Sequence, residues 1–156
     1  LIEAFSTVSK ESYELRILGE GSLKEKLESE IELYGLKENI YLLGFQENPY
    51  KYMMDADVFI CSSRAEGFSL VIAEAMVLGL PIITTNCSGP DELVENGKYG
   101  IMVDNSLEGI RAGISQVINN EERIKELREL SKQRSEFFSM KSTINEIENI
   151  LLGECI

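Results

Sequence analysis

The apolar positions fall into two alternating kinds of segment. Short, largely continuous runs, Glu14–Leu18 (ELRIL), Ile40–Leu43 (IYLL), Asp57–Cys61 (DVFIC), Pro81–Thr85 (PIITT) and Gly100–Val103, have the length and bulky apolar content of strands. Between them lie stretches with helical spacing: Ser22–Tyr34, Asn48–Asp55 with Pro49 suited to a first turn, Ser69–Leu78 ending at Gly79, and a helical turn over Pro90–Glu95. From Ser106 the pattern is helical only, over Leu107–Ile118, Glu121 to about Phe138, and Thr143–Leu152. Strands that are apolar throughout are buried on both faces. Their alternation with helices predicts an α/β domain, a doubly wound, Rossmann-like parallel sheet with helices on both faces. Ligands of such sheets bind beyond the carboxyl ends of the strands, so Gly19–Ser22, Gly44–Asn48, Ser62–Ser69 and Asn86–Pro90 are expected to converge on one crevice. No repeat, low-complexity stretch or linker interrupts the 156 residues, a length that suits one domain, with a sheet part over about 1–104 and C-terminal helices over about 106–152.

Composition narrows the partners. Acidic residues outnumber basic ones 27 to 15, and the net charge of −12 argues against nucleic acid or an anionic membrane surface as the main partner. Histidine is absent, so no serine or cysteine triad can rely on a histidine of this sequence, and the commonest zinc ligand is missing. Cys61, Cys87 and Cys155 are odd in number and widely spaced, which suits reduced thiols and a cytoplasmic location. No apolar run reaches the roughly 18 residues of a membrane span. The first residue is Leu1 and not Met, so the sequence is expected to be part of a longer polypeptide.

Two loops carry candidate chemistry. Gly19-Glu20-Gly21 follows a strand and opens a helix, but Lys24 occupies the place of the third glycine in a dinucleotide fingerprint, so NAD or FAD is not supported. The stronger constellation is Glu66-Gly67-Phe68-Ser69-Leu70-Val71-Ile72-Ala73-Glu74, which leaves the Asp57–Cys61 strand and enters the next helix. With Ser69 as the cap, amides from Gly67 to about Val71 face outward at the positive helix end, where donors and dipole both favour an anion such as phosphate. Glu66 then precedes the cap and Glu74 lies just over one turn inside, so the two carboxylates flank the anion at different depths and do not share a proton. Carboxylates accept hydrogen bonds from hydroxyls, which makes ribose and hexose sensible ligands beside a bound phosphate. A sugar nucleotide has those parts in that order. Asp55 and Asp57 are a weaker cation candidate, with Asp57 read as the start of its strand.

From about Leu1 to Leu152 the sequence resembles the C-terminal, donor-binding domain of the retaining GT-B glycosyltransferases of the large family 4 group. The most specific part is DVFICSSRAEGFSLVIAEAMVLGLPIITTNCSGPDELVENGKYGIMV, from Asp57 to Val103, which is similar to the family's E-x7-E signature, its G-x-P-I strand and its G-P-x-E-L loop. GEGSLKEKLE resembles the family's G-x-G loop and following helix. The resemblance implies that Glu74 binds the ribose hydroxyls. Glu66, the implied catalytic residue, lies by the donor hexose. Gly67, Phe68, Ser69 and Leu70 would contact the diphosphate and sugar through their backbone, with Gly19, Gly21, Gly44, Phe45 and Arg64 completing the donor site. It implies transfer of a hexosyl unit from a nucleotide-diphosphate sugar to an acceptor hydroxyl with retention, without metal or cofactor. It further implies a sugar, polysaccharide or lipid-linked acceptor held by an N-terminal domain outside these residues, and peripheral membrane association of the full-length enzyme. By the usual strand order 3-2-1-4-5-6, the family's first strand, central in the sheet and followed by a loop with a basic pair, precedes the helix with which this sequence begins. The isolated chain is expected to be inactive. Two other readings are a nucleotide-sugar-binding or epimerase-like GT-B module, and a non-catalytic α/β interaction domain.

Overall fold

The computed structural model describes residues 1–8 and 13–138. The expected Thr143–Leu152 helix and Cys155 lie outside the described residues. The elements run α1 (Ile2–Phe5), β1 (Leu15–Leu18), α2 (Lys24–Leu33), β2 (Ile40–Gly44), α3 (Tyr50–Met54), β3 (Phe59–Cys61), α4 (Leu70–Val77), β4 (Ile82–Thr85), α5 (Pro90–Leu93), β5 (Ile101–Val103), α6 (Leu107–Val117) and α7 (Glu121–Ser135), with a 3-10 turn over Glu136–Phe138. The alternation read from the apolar pattern is present throughout, and four-residue α1 is too short to show periodicity. Helix α2 starts at Lys24, with Leu23 in the capping position and no side-chain cap bond there.

Every strand pairing is parallel. The strands do not form one continuous sheet, however: β1 pairs with β2, and β3, β4 and β5 form a separate three-stranded sheet with β4 at its centre. The reason lies between the two. A groove of about 1300 Å³ separates them, lined on one side by Leu15, Ile17 and Leu18 of β1 and on the other by Val58, Phe59 and Ile60. Paired strands stand about 4.8 Å apart, so a groove of this size prevents a β1–β3 ladder and leaves both facing edges unpaired.

Strand β1 has no buried residue and β2 and β3 have one each, so the expected burial on both faces is a property of the central strand β4. All four of its residues are buried. Ile82 packs into a cluster with Met53, Ile72, Ala75, Met76 and Leu93, on the α4 side. Its neighbour Ile83 points the other way, into Ala4, Ile101, Ile110, Ile114 and Leu127, against α6 and α7. Fully burying one such side chain contributes about 2 kcal/mol. A third cluster, Ile2, Phe5, Ile31, Leu36 and Ile40, joins α1 and α2 to β2.

The last helices close over this core. Ser106 caps α6 by accepting from the Gly109 amide at 3.0 Å, and Asn120 caps α7 by accepting from Arg123 at 3.1 Å. Helix α7 is tied to the sheet by Ser131, whose buried hydroxyl donates to the Leu80 carbonyl at 2.6 Å. Arg134 donates to the Leu93 and Glu92 carbonyls, both at 2.9 Å, and to Glu95 Oε1 at 2.7 Å. It therefore secures the end of α5, the short helix that follows the loop beyond β4.

Candidate functional site

The loops at the carboxyl ends of the strands meet in two sets, one of the loops after β1 and β2 and one of the loops after β3, β4 and β5. In the first, β1 runs into Gly19 at φ +120° and β2 ends on Gly44 at φ +66°. The Gly19 amide donates to the Gly44 carbonyl at 2.8 Å, and the Phe45 amide points at Glu20 Oε1 from 3.5 Å. The Phe45 ring is 67% exposed, so it serves no core. Gly21 borders open space.

The second set holds the loop from Ser62 to Ser69. Its Ser63 carbonyl accepts from Thr85 Oγ1 at 2.5 Å and from Asn105 Nδ2 at 3.3 Å, and Asn105 also reaches the Arg64 carbonyl at 3.4 Å. Ser88 Oγ donates to the Glu66 carbonyl at 3.4 Å. Gly89, at φ +95°, comes so close that a Cβ there would lie 1.6 Å from the Gly67 carbonyl oxygen. Gly67 itself borders open space.

The two carboxylates have separate partners. Glu66 Oε1 accepts from Ser63 Oγ at 2.5 Å and lies 3.8 Å from the Cys61 thiol. The Ser63 hydroxyl, and next Ser69, hold the Glu66 carboxyl below its ordinary value against the opposing effect of burial. Glu74 Oε1 accepts from the Tyr50 hydroxyl at 2.9 Å, and that carboxylate raises the Tyr50 phenol above its usual value. Glu74 is thus turned toward α3 and joins the second set of loops to the element that follows the first.

Ser69 occupies the capping position of α4, yet its side chain makes no cap bond and its buried Oγ closes no hydrogen bond of ordinary geometry. The helix start is nonetheless open. The amides of Gly67, Phe68, Ser69 and Val71 meet no acceptor among the described residues. The Leu70 amide, expected to face outward with them, instead turns back on the Phe68 carbonyl at 3.1 Å. Aligned free amides at a helix start favour an anion through both donors and dipole. The Phe68 and Leu70 side chains stand exposed beside them.

Among cations, Arg64 is exposed and held through its carbonyl alone, while Lys24 lies 3.9 Å from Glu28. Asp55 pairs with Arg16 at 2.7 Å and Asp57 lies 3.5 Å from Arg128, so these two carboxylates serve different arginines. Among the described residues no group of His, Cys, Asp and Glu could hold a metal, and no helix is long and apolar enough to cross a membrane. Sequence reasoning missed the supporting residues Tyr50, Ser63, Thr85, Gly89 and Asn105. Of these, Gly89 left a trace as the glycine of the G-P-x-E-L loop and Thr85 as one of two threonines ending an apolar run.

A parallel α/β unit with clustered loops and a polar-flanked helix start at its strand ends is the C-terminal half of a GT-B glycosyltransferase. The chain belongs to the glycosyl transferases group 1 family, whose sequence model matches residues 1–134. It is 32% identical over 155 residues to the N-acetylgalactosamine-N,N'-diacetylbacillosaminyl-diphospho-undecaprenol 4-alpha-N-acetylgalactosaminyltransferase of Campylobacter jejuni, covering 98% of this chain and 42% of that protein. Among solved structures, TarM of S. aureus superposes with a TM-score of 0.82 at 28% identity, over 95% of this chain and 31% of its own. HepE of Anabaena, crystallised with UDP, superposes at 0.86 with 22% identity, over 98% and 44%. The chain thus spans less than half the length of these relatives.

Proposed function

We propose that the chain is the donor-binding half of a retaining hexosyltransferase that takes a nucleotide-diphosphate sugar. The observation that carries this reading is the start of α4, where four unpartnered amides lie between a carboxylate before the helix, Glu66, and one inside it, Glu74. Diphosphate takes the amides, the ribose hydroxyls donate to Glu74, and the hexose lies by Glu66. Gly19, Gly21, Gly44 and Phe45 shape the wall opposite, and Arg64 is an exposed cation in the Ser62–Ser69 loop. As the bond between the anomeric carbon and the diphosphate breaks, charge builds on the leaving phosphate, and preorganised amides stabilise it without reorganising. No metal is required for that step, since the helix start supplies the positive end. The acceptor, a sugar, polysaccharide or lipid-linked saccharide, is held by a further domain outside these residues. A strand from the same polypeptide fills the groove between β1 and β3, which presents two parallel edges to it. Without these parts the isolated chain is inactive.

Titration calorimetry of the full polypeptide against UDP, GDP and ADP tests the reading. One nucleotide binds, and Glu74→Ala abolishes that binding with a melting temperature within about 2 °C of the parent, because its hydrogen-bonding partner is a surface tyrosine and not the core. Unchanged affinity in Glu74→Ala overturns the assignment.

A further inference from the structure

We propose that Ser63 is a positioning residue for Glu66, with Thr85 and Asn105 clamping it in place. The inference rests on the reading of Glu66 as the group beside the donor sugar. Glu66 stands in a loop without regular structure, and the terminal torsion of a glutamate is broad, so nothing in its own backbone fixes the carboxylate. Ser63 supplies what is missing. Its hydroxyl donates to Glu66 Oε1 at 2.5 Å, and its carbonyl is held from two other elements, by buried Thr85 at the end of β4 and by Asn105 in the loop between β5 and α6.

Ser63 and Cys61 both meet the Glu66 carboxylate at Oε1, and the Ser69 hydroxyl lies beside the same carboxylate. The bond from Ser63 orients the carboxylate through Oε1, and a carboxylate has further lone pairs to offer a ligand hydroxyl. A loop that needed only to be rigid would be served by the two bonds to the Ser63 carbonyl. The serine hydroxyl reaches the carboxylate itself at 2.5 Å and lies 3.6 Å from the Cys61 thiol behind it. It also favours the ionised form, which accepts but does not donate.

The test uses the full polypeptide carrying Ser63→Ala, Ser63→Thr, Asn105→Ala or Glu66→Gln. Two quantities are read: the titration of Glu66 by carbon NMR of labelled glutamate, and the affinity ratio of UDP-glucose and UDP-N-acetylglucosamine to UDP. Ser63→Ala is expected to move the Glu66 midpoint upward and to weaken the sugar nucleotide that wild type prefers by about tenfold, the worth of one charge-assisted hydrogen bond, with UDP affinity kept. Ser63→Thr restores both, and Asn105→Ala, which removes two exposed bonds and leaves the core untouched, shifts the ratio in the same direction by less. A Glu66 midpoint unmoved in Ser63→Ala overturns the proposal. If Glu66→Gln loses sugar discrimination while Ser63→Ala keeps it, the proposal falls and the role of Glu66 stands. If Glu66→Gln itself keeps full discrimination, both fall.

Discussion

Replacing Gly89 by alanine perturbs the point where the two loops of the candidate site touch. The residue has φ +95° and ψ −68°, a backbone region open to glycine and strained for any residue with a Cβ. The added Cβ would lie 1.6 Å from the Gly67 carbonyl oxygen, against an ordinary contact of 3.4 Å or more, so the two backbones must part by about 1.8 Å. Neither can move alone. Gly67 follows a loop held by Thr85, Ser88 and Asn105, and Gly89 leads into Pro90 and Leu93, both buried. Backbone strain costs about 1–3 kcal/mol and forced overpacking a similar amount, so Gly89→Ala is expected to lose about 4 kcal/mol of a stability that is typically 5–15 kcal/mol. Urea unfolding of the full polypeptide measures this as a lower midpoint with an unchanged slope, and titration with UDP shows weakened binding because the Glu66–Gly67 segment is displaced. A variant within about 0.5 kcal/mol of wild type, with undiminished UDP affinity, would refute the close approach as the reason for glycine here.

Arg134 is 12% exposed at its side chain and makes three hydrogen bonds to α5 and Glu95 while lying over Tyr99, Phe137 and Phe138. Arg134→Ala is expected to cost about 3 kcal/mol in urea unfolding, and Arg134→Lys to recover less than half, since an ammonium cannot reproduce the planar fork; full recovery by lysine would show that charge alone matters. The Glu66 carboxyl is held below its ordinary value of 4.5 by Ser63 and then Ser69, so its contribution to stability is complete above about pH 4.5 and is lost as pH falls through the lowered value. Glu66→Gln should therefore flatten the loss of stability between pH 6 and pH 3, and an unchanged acid slope in urea midpoints counts against the hydrogen bond.

What the sequence made legible is what depends on local pattern. PIITT and DVFIC were legible as strands, although only the first is buried throughout and the second has Cys61 alone buried, and Ser69 to Leu78 carries its helix spacing in plain view. The E-x7-E spacing put Glu66 before that helix and Glu74 inside it, where the structure has them. The contacts that prepare those carboxylates depend instead on residues distant in sequence. Thr85 meets Ser63 across 22 positions and Asn105 meets it across 42, and the Gly89–Gly67 approach spans the same two loops. No periodicity encodes such pairs, because they arise only when parallel strands bring successive loops to one end of the sheet. The free helix start shows the same division: sequence located the amides, but only the folded chain turns the Leu70 amide back onto Phe68 and leaves the Ser69 hydroxyl buried without capping α4. Even the break between the sheets follows this rule: each strand was readable by itself, whereas the absence of a β1–β3 ladder and the groove between those two unpaired edges appear only in the folded chain.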